Sequence, residues 1–146
     1  MSSDHANRPA PPRALYLAAP LTEQKALAAL AVTLRAKGIP IVSTWHDLPI
    51  PKHPTSDEKA KASSVNHRDL RSANAAVFVV HRGEPLETWV ELGAAFQRVP
   101  CLVLHHEGQR LPISVHVVES DLVPWWDGQG EPTWIAERIG VWHGTL

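Results

Sequence analysis

The sequence predicts an α/β domain, in which helices pack on both faces of a parallel β-sheet. Two continuously apolar runs, residues 13–19 and 75–80, are typical of strands buried on both faces, and residues 39–43 are predicted to form a further strand. Segments with helical periodicity separate these runs, so strand and helix alternate along the chain. The 146 residues fit one domain. We expect a disordered, proline-rich arm at residues 1–12 and the domain at residues 13–146.

The first helix is predicted from its two ends. Pro20 ends the first apolar run, and Thr22 follows it as a helix cap. Apolar residues at helical spacing then continue for about four turns. Gly38 closes the helix, because glycine readily adopts the left-handed conformation that commonly ends helices. The second predicted strand, residues 39–43, follows directly.

A loop after the second predicted strand holds Trp45 and His46. Loops at strand ends carry functional groups more often than the strands themselves do. At the end of this loop, Thr55 and Glu58 have the spacing of a capping box, in which each side chain bonds to the other residue's backbone N–H. The pattern predicts a second helix that reaches about Ala73.

The most apolar run, residues 75–80, is predicted to be the central strand, and the next helix holds the candidate nucleophile. Pro85 suits the first position of that helix. Glu87 and Glu91 are one turn apart and share a face. The predicted buried stripe, at helical spacing, consists of Trp89, Leu92, Gly93 and Phe96.

Glu91 is interpreted as a nucleophile because of its place in the predicted fold. The positive end of the helix dipole favours an ionised carboxylate in the opening turns. Polar groups follow three predicted strands, at residues 16–22, 44–47 and 81–91, and α/β proteins bind ligands at that edge of the sheet. A solvent-exposed helix carboxylate is the simpler alternative for Glu91 taken alone.

The C-terminal third gives a weaker pattern after a fourth predicted strand at residues 100–104. Residues 113–118 fit either a strand or a short helix, and residues 121–123 fit a short edge strand. Pro132 suits the start of a last helix, whose apolar positions are Ile135, Ile139 and Trp142.

Composition excludes several classes of function. The net charge of −1, without a basic block, argues against a nucleic-acid polymer as partner. No apolar run approaches the ~20 residues of a membrane-spanning helix. The single cysteine, Cys101, rules out an intrachain disulfide and indicates a reducing compartment such as the cytoplasm. The nine histidines are scattered, so neither a metal nor a cofactor is expected. FMN is disfavoured because the first loop lacks a Ser/Thr-rich phosphate cradle.

Three segments resemble the nucleoside 2-deoxyribosyltransferase family, which includes related 2′-deoxynucleoside 5′-monophosphate N-glycosidases. They are residues 16–20 (Tyr-Leu-Ala-Ala-Pro), Asp69-Leu70 followed by the central strand, and residues 91–95 (Glu-Leu-Gly-Ala-Ala). The last segment is the most specific, and the resemblance covers residues 14–104. It implies a flavodoxin-like three-layer α/β/α fold with four to five parallel strands, a homodimer or higher homo-oligomer, and chemistry at an N-glycosidic bond.

The resemblance also implies roles for three residues. Glu91 would attack the anomeric carbon, Asp69 would help to protonate the leaving base or hold the sugar, and Tyr16 would orient the nucleophile. The residue types suit this chemistry, because carboxylates stabilise and trap oxocarbenium-like transition states. The alternatives are an ion pair of Asp69 with Arg68 or Arg71, and a core role for Tyr16 with its hydroxyl satisfied.

Substrate contacts are expected from the first strand end, the following loop and the third helix: Ala18, Pro20, Trp45, His46, Glu87 and Trp89. Trp45 and His46 would wall the base or, alternatively, cover the sheet edge. The serine-, arginine- and glycine-containing phosphate loop of the N-glycosidases is replaced by residues 20–24 (Pro-Leu-Thr-Glu-Gln), which favours a nucleoside over a nucleotide.

The third helix also suggests an alternative function. Glu87 and Trp89 narrow the predicted pocket, which raises the alternative of a non-catalytic sensor of nucleotides or their derivatives.

The C-terminal tryptophans are expected to lie partly at a subunit interface, where tryptophan is enriched. They are Trp125, Trp126, Trp134 and Trp142.

Overall fold

Four parallel strands form a single sheet in the order β1-β2-β3-β4. The computed structural model describes residues 11–49, 51, 53–80, 86–112, 115, 118–123 and 133–146. The strands are β1 (Leu15–Ala18), β2 (Ala75–Val80), β3 (Cys101–His106) and β4 (Glu119–Val123). All neighbouring strands pair in parallel, and helices flank the sheet, as in the flavodoxin-like α/β fold that was predicted.

The predicted second strand, residues 39–43, is reduced to a single parallel bridge between Ile41 and Leu15. Leu15 donates its backbone N–H to Pro40 O over 2.9 Å, and Val42 donates to Leu15 O over 2.8 Å. The pairing stops there because the next backbone donor, Leu17 N, bonds to the Ser43 hydroxyl at 3.0 Å. Pro40 has no N–H to extend the pairing in the other direction.

The first two helices follow the sequence pattern, with one difference at the start. Helix α1 spans Gln24–Ala36 and is preceded by a 3-10 turn at Leu21–Glu23. Thr22 lies inside that turn and therefore does not cap the helix. Gly38 ends α1 with φ +84°, as predicted. Helix α2 spans Ser56–Ser72, and both hydrogen bonds of the predicted capping box are present at its start.

Helices α3 (Leu86–Ala95) and α4 (Thr133–His143) complete the layers. Helix α4 packs against α1, so these two helices share one face of the sheet. Crossovers between parallel strands are right-handed. The crossover through α1 runs from β1 to Ile41, and the crossover through α3 runs across the sheet in the opposite direction, from β2 to β3. The same handedness therefore places α3 on the face opposite to α1, where it packs on β2.

The buried face of α3 differs from the predicted stripe, since Gly93 lies off it and Thr88 and Ala95 are buried in addition. Leu92 is fully buried, and Trp89 and Phe96 pack against the core while remaining partly exposed. Gly93 is exposed, and a Cβ added there would meet nothing within 4 Å. The small residue at this position is therefore not needed for close approach of the helix to the sheet.

The C-terminal segment contributes to the core of its own chain. Trp142 is buried, and Trp134 is half-buried and packs against the core. The predicted edge strand is longer than expected, since β4 begins at Glu119. The other predictions for this part of the chain fall on Trp125, Trp126, Pro132 and most of residues 113–118, which lie outside the described residues, as do Pro85 and residues 1–10.

None of the described helices is long and apolar enough to cross a membrane. Cys101 is buried at the start of β3, where its thiol donates to Val99 O at 3.4 Å. Burial raises the pKa of this thiol to about 12. Because the thiolate is the reactive form, Cys101 is a core residue and not a nucleophile at neutral pH.

Candidate active site

A cavity of about 870 Å³ opens at the carboxyl end of β1, between the following loop, α2 and α3. Parallel strands end together at this edge of the sheet, which is where α/β folds place ligands. The cavity wall includes residues from the segment after β1 (Pro20, Leu21), the loop (Trp45, Leu48), α2 (Ser63, Val65, Asn66, Leu70) and α3 (Glu87, Val90, Glu91).

Glu91 is a half-buried carboxylate on the cavity wall, in the second turn of α3. Its pKa is raised from 4.5 to about 7, chiefly because burial disfavours the charged form. Hydrogen bonding from Tyr16 opposes this shift, and the charge of Glu87, one turn earlier, adds to it. The solvent-exposed carboxylate considered as the alternative for Glu91 therefore does not describe the structure.

Tyr16 lies beneath Glu91 on β1, with no part of its side chain exposed. Burial raises its pKa, and so do the charges of Glu91 and Asp69. Its hydroxyl has no partner at full hydrogen-bonding geometry, although it faces Glu91 closely enough for each group to shift the other's pKa. A small movement of either side chain would complete this hydrogen bond.

Asp69 is buried near the end of α2, and both of its carboxylate oxygens accept hydrogen bonds. The Thr44 hydroxyl donates to Oδ2 at 2.7 Å. Arg68 donates from Nε and Nη2 to Oδ1, at 3.3 and 3.2 Å. The ion pair considered as an alternative for Asp69 is thus present, with Arg68, and the carboxylate also lies within electrostatic range of Tyr16.

Trp45 forms part of the cavity wall and is fixed from behind. Its indole N–H donates to Leu17 O at 2.7 Å, which ties the loop to the end of β1. The Gln24 amide donates to the carbonyl oxygens of Trp45 and Leu48, at 2.9 and 2.7 Å. These hydrogen bonds hold Trp45, which is largely buried, in place on the cavity wall.

His46 is buried behind Trp45, outside the set of described residues that line the cavity. The two rings meet edge to face, with centroids 5.7 Å apart. His46 Nε2 is 3.1 Å from the Ser43 hydroxyl, and burial lowers the pKa of the imidazole although Asp47 opposes the shift. His46 therefore packs the loop from within and does not share the wall with Trp45.

The remaining predicted contact residues divide between the cavity and the core. Pro20 and Glu87 line the cavity. Ala18 is buried within β1, and Trp89 packs against the core, so neither belongs to the described cavity wall. Trp89 lies on the side of α3 that packs against the core, so the next residue along the helix, Val90, lies on the cavity side instead.

Several residues around the site were missed by sequence reasoning. Thr44 was noted only as part of a polar loop, and its bond to Asp69 spans 25 positions of sequence. Asn66 is one turn before Asp69 on the cavity wall, and only that helical spacing could have pointed to it. Among the described residues, no group of three or more His, Cys, Asp or Glu side chains could hold a metal ion.

The comparisons with known proteins support the fold. One solved structure with the same architecture is a 2-deoxyribosyltransferase from the psychrotolerant bacterium Bacillus psychrosaccharolyticus, with a TM-score of 0.61 and 15% sequence identity. The match covers 84% of this chain and 95% of that one. No family model and no curated protein matches the sequence. At this identity the likeness establishes a shared fold, and the site must be argued from its own residues.

Proposed function

We propose that this protein cleaves or transfers at the N-glycosidic bond of a nucleoside, with Glu91 as the nucleophile. The observation that carries the proposal is the half-buried Glu91 carboxylate on the cavity wall, beside Tyr16. A carboxylate withdrawn from water and facing a ligand-sized cavity can approach a sugar carbon closely. The shared fold with a 2-deoxyribosyltransferase adds support of a general kind.

The reaction would proceed in two displacements at the anomeric carbon. In the first, a Glu91 oxygen forms a bond to C1′ while the C1′–N bond breaks. The electron pair of the broken bond leaves with the base, which takes up a proton from solvent. In the second, water or another base attacks C1′ and releases Glu91, while the incoming group loses a proton to solvent or a nearby base. Each transition state has oxocarbenium character, which the carboxylate stabilises.

Asp69 and Tyr16 are proposed to hold the reacting groups in place. The Asp69 oxygens are already fixed by Thr44 and Arg68, an arrangement that suits accepting a hydrogen bond from a sugar hydroxyl. Tyr16 would donate its unpartnered hydroxyl to Glu91 as the carboxylate ionises. Such a bond would fix one oxygen and leave the other free to attack.

The cavity favours a substrate without a phosphate. Glu87 and Glu91 place acidic groups on its α3 wall, and its lysines, Lys59 and Lys61, lie on α2. The segment that follows β1, where a phosphate would need donors, contributes Pro20 and Leu21. Trp45 lies on the wall and would contribute apolar surface against which a base can pack. An uncharged nucleoside therefore fits better than its monophosphate.

The proposal is tested by measuring base release from a panel of nucleosides and 2′-deoxynucleosides by chromatography, with and without a second free base as acceptor. Glu91→Gln should lower turnover by roughly a thousandfold or more, as loss of a nucleophile does. Glu137→Gln, an exposed carboxylate of α4, is the matched control and should retain full activity. Full activity of Glu91→Gln would exclude this residue as the nucleophile.

The elevated pKa of Glu91 favours one alternative, a binding protein that senses a nucleotide or a derivative without turnover. At pKa about 7, a large share of Glu91 is protonated at neutral pH and is a poor nucleophile. The same panel distinguishes the two functions. A nucleoside that raises the melting temperature while no base is released, even at pH 8 to 9, would support the sensor.

A further inference from the structure

Two neighbouring segments of the cavity wall are joined by one side chain that lies outside the wall. The segment after β1 contributes Pro20 and Leu21, and the loop contributes Trp45 and Leu48. Gln24, the first residue of α1, follows the first segment closely, and its carboxamide bonds to the second. Gln24 is not among the described residues that line the cavity, so its effect on a ligand must pass through the residues that it holds.

The hydrogen bonds of Gln24 reach both ends of the wall segment in the loop. Its Nε2 donates to Trp45 O at 2.9 Å and to Leu48 O at 2.7 Å. Because both partners are carbonyl oxygens, only the amide nitrogen can bond to them, which fixes the orientation of the carboxamide. The backbone N–H of Gln24 donates to Leu21 O in the turn that follows β1. One residue therefore binds three wall residues from two segments.

Other polar contacts of the loop act at other points. The Trp45 indole bonds to Leu17 O, which ties the start of the loop to β1. Arg35 and Asp47 form an ion pair of 3.7 Å between α1 and the loop, but both side chains are nearly half exposed, so the pair contributes little. Leu48 is 45% exposed although it is apolar, so its side chain is only partly packed. Its carbonyl bond to the carboxamide therefore matters most at the far end of the wall segment.

We propose that Gln24 is a positioning residue for substrate binding, which holds the loop wall in place against the segment after β1. This inference rests on the proposed function for the identity of the ligand, a nucleoside whose base packs against Trp45. The residues that Gln24 holds lie outside the reacting groups, so they should bind the ligand equally well before and in the transition state. Loss of such uniform binding raises KM and leaves kcat unchanged.

The test measures the kinetics of variants on deoxyadenosine and thymidine, one nucleoside of each base size. Gln24→Met removes both hydrogen bonds at similar size, and Gln24→Glu places an acceptor opposite two carbonyl oxygens, which repel it. For both we expect KM to rise by roughly tenfold, with kcat changed by less than about threefold. Gln24→Lys keeps donors for the two carbonyl oxygens, so its KM should stay within about threefold of wild type. Gln97→Glu, at an exposed residue just after α3, is the matched control and should behave as wild type.

A folding defect would give a different result, because a smaller fraction of active protein lowers the apparent kcat and leaves KM unchanged. An unchanged KM in both Gln24→Met and Gln24→Glu, or a fall in kcat alone, would overturn the positioning role. The Kd of the same nucleosides, measured by calorimetry, separates this inference from the proposed function. If wild type binds a nucleoside without cleaving it and both variants bind it more weakly, the positioning role stands and the enzymatic function fails. If nucleosides are cleaved with the same KM and Kd in all variants, the reverse holds.

Discussion

Glu91 is the residue at which opposing physical effects meet. Burial and the charge of Glu87 disfavour its ionised form, whereas Tyr16 stabilises it. If the carboxylate is the nucleophile, kcat/KM should rise with pH as Glu91 loses its proton, with a midpoint near its pKa of about 7. The two neighbouring residues should then move that midpoint in opposite directions.

Replacing Tyr16 with phenylalanine should shift the midpoint of the pH–rate profile to higher pH. The variant loses the hydroxyl that faces Glu91 and lowers the pKa of its carboxyl. It should not be destabilised, because it removes a buried hydroxyl that has no partner, and we expect equal or slightly higher stability, by up to about 1 kcal/mol. Stopped assays across pH and thermal melting measure both effects. A large loss of stability would indicate a structural role for the hydroxyl.

Replacing Glu87 with glutamine should shift the same midpoint to lower pH. The variant removes a negative charge that raises the pKa of Glu91. Glu87 is exposed, so the effect should shrink as salt screens the interaction. Profiles at low and high ionic strength provide the measurement, with Glu137→Gln as the control. A midpoint that does not move, or moves upward, would argue against Glu91 as the titrating group.

At the scale of elements, most features that depend on local patterns were predicted correctly, although Thr22 does not cap α1. The capping box at Thr55 and Glu58, the terminal Gly38 and the apolar strands are all set by residues within a few positions of one another. The bridge at Ile41 could not be predicted, because it is limited by a bond from Leu17 N to a side chain 26 positions away.

The candidate site shows the same division. A helix carboxylate after the central strand was recognisable from the sequence, since chain order alone puts it at the ligand-binding edge. The inward position of Trp89 agrees with the helical spacing that put it in the predicted buried stripe, and it is the expectation of a substrate contact there that the structure does not support. The burial of His46 depends on how the loop sits on the sheet, which spacing along the chain does not determine.

Two glycines provide a test of these helix assignments. Gly93 lies within α3 and is exposed, so Gly93→Ala should stabilise the protein by roughly 0.5–1 kcal/mol. Gly38 has φ +84°, so Gly38→Ala should destabilise it by about 1 kcal/mol or more. Chemical denaturation measures both changes. Destabilisation by Gly93→Ala would mean that the position is packed against something, such as a second subunit.

At the scale of the whole molecule, the raised pKa of Glu91 links the site to stability. Its folded-state pKa of about 7 lies above the ordinary value of 4.5, so the folded protein binds the extra proton. The stability associated with that proton is fully present below pH 4.5 and is lost as pH rises through about 7. Burial of the carboxylate in the folded state is therefore most costly in alkaline solution.

Glu91→Gln should consequently gain stability over the wild type as pH rises from about 5 to 8 and hold that advantage above it. The gain is at most a few kcal/mol, since a tenfold change in an acidity constant corresponds to roughly 1.4 kcal/mol. Thermal melts of both proteins across this range measure it. A constant difference between the two proteins would show that Glu91 keeps an ordinary pKa.

The homodimer implied by the sequence resemblance remains a prediction, which light scattering can test.

The central claim is that Glu91 bonds covalently to the sugar, and trapping that intermediate tests it most directly. A 2′-deoxy-2′-fluoroarabinosyl nucleoside is suitable because its fluorine destabilises the oxocarbenium-like transition states and slows turnover. After incubation, intact mass spectrometry should show the protein heavier by one fluoroarabinosyl group, and peptide fragmentation should place that group on Glu91. The label should be missing from Glu91→Gln. A label on Glu87, or base release with no labelled protein, would contradict the account.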